Sequence, residues 1–134
     1  MSAIELSESL QELVERAREG AAHAYAPYSQ FRVGAAVRGA SGQVYSGCNV
    51  ENASYGATIC AERVAIGKLV SAGETVLTAV AVWTGAGEPA LPCGICRQVL
   101  AEFGKNAVVV VASPSSLRQT TLSDLFPEPF VFRP

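Results

Sequence analysis

Residues 76–112, VLTAVAVWTGAGEPALPCGICRQVLAEFGKNAVVVVA, decide the fold. The stretch opens with an almost unbroken apolar run, 76–83, of the kind found in a strand covered on both faces. Leu91-Pro92 then opens a helix, because proline's fixed φ suits a first turn. That helix runs to about Phe103, and Gly104 is its C-terminal signal. A second fully apolar strand covers 107–112. Strand, helix and strand in succession point to one α/β sheet with helices on its faces.

The flanks extend this pattern. Leu6, Leu10, Leu13, Val14, Ala17, Ala21 and Ala24 keep helical spacing, which predicts a helix over about 7–25 ended by Pro27. Ser9 with Glu12, or Ser2 with Glu5, could form the capping box at its start. Residues 31–38 and 44–50 read as a hairpin around Ala40-Ser41-Gly42. Small residues at Gly34, Ala35, Ala36 and Gly47 imply that something packs closely on these strands. Thr58 is the expected N-cap of a helix to about Ala72, stopped by Gly73. After the turn at Pro114-Ser115-Ser116, residues 118–122 read as a last strand. With no linker or repeat in between, residues 1–134 are expected to form one domain.

Composition narrows the function. Ten basic against twelve acidic residues give a net charge of −2, which argues against a polyanion binder such as a nucleic-acid editor. Hydrophobic residues make up 49% and charged residues only 16%, so the chain folds and much of its surface is expected to meet other subunits. No apolar run is long enough for a membrane span. The first residues lack a basic segment followed by an apolar core, so the expected compartment is the reducing cytoplasm. There the four cysteines suit metal binding or catalysis better than disulfides.

Cys60, Cys93 and Cys96 each fall at or near an expected helix N-terminus, where positive partial charge favours thiolate. Cys93-Gly94-Ile95-Cys96 alone also fits a redox pair or a buried structural pair. Cys60 adds a third ligand on a separate helix. Three thiolates would bind zinc and leave its fourth tetrahedral position open. Glu62 lies two residues beyond Cys60, off its face, but its arm could reach a water on the metal. Arg63 shares the face of Cys60 and can donate to ligand sulfurs, offsetting the net −1 charge of such a centre. A non-catalytic zinc or redox module would need no acid at this place. Cys48, alone in a strand, reads as a small packed hydrophobe, and His23, the only histidine, as packed or exposed.

Cys60-Ala61-Glu62-Arg63, followed by Pro92-Cys93-Gly94-Ile95-Cys96-Arg97-Gln98, resembles the zinc signature of the small cytidine deaminases, in its three-cysteine form. Residues 25–31 (YAPYSQF), 33–36 (VGAA) and 47–53 (GCNVENA) are similar to that family's nucleoside-binding segments. The resemblance implies an α/β fold, a three-layer αβα sandwich with a five-stranded mixed sheet, assembled as a homotetramer. It implies hydrolysis of cytidine or 2′-deoxycytidine to uridine or 2′-deoxyuridine and ammonia, a step of pyrimidine salvage. By motif, Cys60, Cys93 and Cys96 hold one Zn2+ per chain, and Arg63 tunes the thiolates. Glu62 moves protons from water to ring N3 and to the leaving amine. The Ala61 N–H meets the base carbonyl, Phe31 stacks on the pyrimidine, and Asn49 and Glu51 bind the ribose 3′-hydroxyl. Phe130 matches the aromatic that reaches a neighbouring subunit's site, although Phe126 and Pro129 depart from the family's pattern around it. Deaminases of the antibiotic blasticidin S share the zinc signature but differ in the segment matched here by Asn49 to Tyr55. The Asn49 and Glu51 pair therefore favours a free nucleoside. A carboxylate there accepts a hydroxyl and repels a phosphate.

Overall fold

A computed structural model describes residues 5–134. Helix α1 (Glu8–Ala21) lays Leu13, Ala17, Gly20 and Ala21 on one buried face. Its cap is Ser7, whose hydroxyl accepts the Leu10 N–H at 3.3 Å, and not Ser9. The alternative cap at Ser2 lies outside the described residues. The helix also stops earlier than its apolar spacing predicts. Tyr25 is drawn away to pair with the 49–51 segment, its N–H donating to the Asn49 carbonyl and its own carbonyl accepting the Glu51 N–H.

Strands β1 (Val33–Gly39) and β2 (Val44–Cys48) form the expected hairpin, turning through Gly42 at φ +90°. Both strands are shorter than expected at the end away from the turn. There the Asn49 side chain takes over from the ladder, accepting the Val33 N–H and donating to the Phe31 carbonyl. Phe31 is thereby released from the sheet. β1 also pairs antiparallel with β3 (Leu77–Thr84), which runs parallel to β4 (Val108–Ser113), and β4 pairs antiparallel with β5 (Ser116–Thr121). The sheet is mixed and five-stranded, in the order β2-β1-β3-β4-β5.

Helix α1 covers one face, packing Leu13 and Ala17 on Ala36, Ala79, Ala81 and Val110. Helices α2 (Ala61–Ser71) and α3 (Gly94–Gly104) cover the other, where Ala65, Leu69 and Leu100 join Val37, Val80 and Val109. This is the expected three-layer αβα arrangement. Thr58 is not the cap of α2. Its hydroxyl serves the Asn52 N–H, and Cys60 holds the cap position. Likewise α3 starts at Gly94 behind Cys93, one turn's edge later than Leu91-Pro92 suggests. A short helix, α4 (Leu122–Leu125), was not expected; Thr121 caps it, and Leu122 is fully buried against the core.

Glycine sets how closely the outer layers approach the hairpin. A side chain at Gly34 would strike the backbone of Ala17 and Ala21 in α1. At Gly47 a Cβ would lie 2.7 Å from both the Ala61 carbonyl oxygen and the Ala65 nitrogen of α2. Gly47→Ala must therefore push α2 off β2. We expect it to lower unfolding free energy by about 1–3 kcal/mol in urea titrations, as overpacking does. Because Cys60 begins α2, the same variant should also hold zinc more weakly.

Candidate active site

Strand direction assembles the site. β2 and β3 both run antiparallel to β1, one on each side of it, so they run the same way. The helix that follows each strand lies on the same face and begins at the same end of the sheet. Cys60 caps α2, Cys93 caps α3, and Cys96 lies in the first turn of α3. Both capping thiols point out of their helix starts toward one another rather than into solvent on opposite sides, with the Cys60 and Cys93 sulfurs 3.9 Å apart.

The three sulfurs lie within 4.8 Å of one another, with Cys60 and Cys93 at 3.9 Å. Tetrahedral zinc with Zn–S bonds of about 2.3 Å requires sulfurs roughly 3.8 Å apart. The donor set therefore fits zinc in both chemistry and spacing. All four cysteines are free thiols, and Cys48, in β2, lies outside the cluster. His23 is exposed.

Charge and burial shape the chemistry. Burial pushes the Cys96 thiol far above its ordinary range, and the negative charges around it push the same way. Burial also acts to raise Cys93, but hydrogen bonds from the Cys96 N–H, Cys96 and Cys60 outweigh it and hold Cys93 low. Glu62 is only 5% exposed. Burial raises its carboxyl above the usual range, against the opposing pull of its own N–H, Cys96 and Arg63. A dication is the charge that such a group of thiols and a carboxylate lacks. Arg63 supplies part of it, with Nη2 at 3.8 Å from Cys60 Sγ and 3.3 Å from the Thr58 carbonyl. Its Nε is buried without a partner among the described residues.

A cleft of about 260 Å³ opens over the cluster. Cys60, Ala61, Glu62 and Cys93 line it together with Phe31, Asn49, Val82 and Leu91. As the first residue of α2, Ala61 presents an N–H that has no acceptor within the helix. Phe31 is 46% exposed at this opening. Each polar end of the Asn49 amide makes one backbone bond and keeps one donor or acceptor position free.

Glu51 does not line this cleft. It stands in an adjoining hollow with Tyr28, Ser29, Asn52 and Tyr55, and Thr58 lines both spaces. Phe130 is brought to neither. Its backbone is clamped by both ends of the Gln98 amide on α3, and the residue is 72% exposed. Thr58 and Leu91 were missed as site residues, because only tertiary packing brings them here, whereas Ser29 lies in the 25–31 segment already likened to a nucleoside-binding one but was not singled out within it.

A family model for the cytidine and deoxycytidylate deaminase zinc-binding region matches residues 7–112. A cytidine deaminase of Sporosarcina psychrophila is 41% identical over 123 residues, 90% of each chain. One from Mycobacterium tuberculosis is 46% identical over 114 residues, 85% of this chain and 84% of that one. The crystal structure of a cytidine deaminase from Burkholderia pseudomallei superposes with a TM-score of 0.86 at 43% identity, covering 93% of this chain and 100% of that one. The chain belongs to the cytidine and deoxycytidylate deaminase family of zinc-dependent hydrolytic enzymes.

Proposed function

We propose that this chain, as one deaminase domain, converts free cytidine and 2′-deoxycytidine with water into uridine or 2′-deoxyuridine and ammonia. The observation that carries the reading is a buried carboxylate, Glu62, beside three converging sulfurs in the wall of a cleft. Cys60, Cys93 and Cys96 hold zinc, which supplies Lewis acidity that makes a water nucleophilic near neutral pH. Glu62 is the proton carrier. Its burial makes it a better base than an exposed carboxylate. It takes one proton from the attacking water and gives it to ring N3, then takes the remaining proton from the oxygen now bonded to C4 and delivers it to the departing amine as the C4–N bond breaks and the C4 carbonyl forms. Arg63 donates to Cys60 and steadies the charge on sulfur.

Substrate recognition follows the cleft. The Ala61 N–H at the positive end of α2 meets the base carbonyl. Phe31 stacks on the pyrimidine, and Asn49 and Glu51 take the sugar hydroxyl. The Glu51 carboxyl is held below the usual range, chiefly by the Ser29 hydroxyl and then by the Ser29 and Tyr28 N–H groups, against the opposing pull of burial. It is thus anionic at neutral pH and repels a phosphate, which favours nucleosides over nucleotides. These substrates place the reaction in pyrimidine salvage, and free thiols of this kind persist in a reducing cytoplasm. Among the described residues, no helix is long and apolar enough to cross a membrane.

The chain assembles as a homotetramer. Phe130, Val131 and Phe132 are 72%, 57% and 75% exposed in consecutive positions, an apolar surface that calls for cover. In this reading Phe130 closes over a neighbour's cleft, since it takes no part in its own. Light scattering should give four chain masses. Deleting residues 130–134 should weaken cytidine binding more than zinc retention, whereas a fully active monomer would contradict the shared site.

The chemistry is tested by Glu62→Gln, which keeps the side chain's shape and removes its acid. It should retain one zinc per chain while turnover of cytidine falls by roughly 10²- to 10⁴-fold or more. Cys93→Ala should lose the zinc itself, and Cys48→Ala should keep it, by metal analysis. Cytidine monophosphate should be a poor substrate for the unaltered enzyme.

A further inference from the structure

Ser29 lies in the turn between Pro27 and Phe31, and its hydroxyl does two things at once. It donates to Glu51 Oε2 and accepts the Phe31 N–H at 3.0 Å. Glu51 Oε1 accepts the N–H groups of Tyr28 at 2.9 Å and of Ser29 at 3.1 Å. A carboxylate offers about four acceptor positions. The turn fills both on Oε1 and one on Oε2, which leaves a single position, on Oε2, for anything else.

The turn that makes these bonds is itself fixed. Gln30 adopts φ +61°, a left-handed conformation uncommon outside glycine. It is held there by its N–H to the Ala26 carbonyl and its side-chain amide to the Pro27 carbonyl, each at 3.0 Å. Phe31 is fixed in turn by its carbonyl, which accepts from Asn49 Nδ2 at 2.8 Å. Among the described residues, the Ser29 hydroxyl is the one side-chain group that bonds to both the Phe31 backbone, whose ring faces the cleft, and the carboxylate in the adjoining hollow.

We propose that Ser29 is a positioning residue for nucleoside binding. By bridging the Phe31 N–H and the Glu51 carboxylate, it aims the one open acceptor of Glu51 at the sugar while Phe31 faces the base. This rests on the reading that a nucleoside spans the two spaces. Ser29 touches neither the sulfurs nor Glu62, so it acts on binding and leaves proton transfer alone.

The test is steady-state kinetics of the zinc-loaded, full-length enzyme on cytidine, with Ser29→Ala, Ser29→Thr, Glu51→Ala and the Ser29→Ala/Glu51→Ala pair. Ser29→Ala should raise KM by about tenfold, the effect of losing a hydrogen bond to a charged group, with kcat and zinc content held. Ser29→Thr keeps the hydroxyl and should restore most of the loss. If Ser29 works through Glu51, adding Ser29→Ala to Glu51→Ala should cost no more than roughly twofold. The same tenfold loss in both backgrounds, an unchanged KM in Ser29→Ala, or a loss confined to kcat would overturn the role of Ser29 and leave the deaminase reading standing. An unaltered enzyme inactive on cytidine would instead overturn that reading, and this inference with it.

Discussion

The convergence of two helix N-termini on one point is the constraint on which the molecule depends. It arises because β2 and β3 flank β1 in the same direction, and each feeds a helix on the same face. A helix start carries unpaired N–H groups and positive partial charge, so two of them make a favourable place for thiolates. The close approach of α2 to β2, which brings Cys60 within 3.9 Å of Cys93, requires the bare backbone at Gly47. The hairpin thus matters to the chemistry although none of its own ladder residues carries a reacting group.

The site is costly to hold without its metal. Burial and neighbouring negative charge both disfavour ionising Cys96, and burial disfavours ionising Glu62. Arg63 compensates only in part, and its Nε, buried without a partner among the described residues, is a further cost inside the fold. Binding a divalent cation relieves the thiols, so metal affinity and the stability of this end of the sheet are linked. Glu62 keeps its raised proton affinity through burial, which suits the proton-carrying role proposed for it.

Much of this was legible in the sequence, for identifiable reasons. Continuous apolar runs gave β3 and β4, and Gly73 and Gly104 marked where α2 and α3 end. The cysteine cluster followed from spacing, since a cysteine at a helix start can point only a short way. What spacing could not show was where side chains replace backbone pairing. Asn49 closes the end of the hairpin and frees Phe31, so the strands end earlier than their pattern predicts. Thr58 looks like a cap by residue type, yet its hydroxyl is engaged by Asn52. Tyr25 keeps the apolar spacing of α1 and is nevertheless pulled out by the 49–51 segment. Ser29 leaves no periodic signal, because its partners lie two and twenty-two residues away.

These features reduce to one claim: a metal held by Cys60, Cys93 and Cys96, with Glu62 beside it, removes the amino group of a free pyrimidine nucleoside. The most direct measurement follows the loss of cytidine's ultraviolet absorbance on adding the purified enzyme, before and after exhaustive chelation and again after zinc is returned. The account predicts rapid loss of absorbance with the loaded enzyme, none after chelation, and recovery with zinc. A metal-free enzyme that deaminates cytidine at the full rate would contradict it.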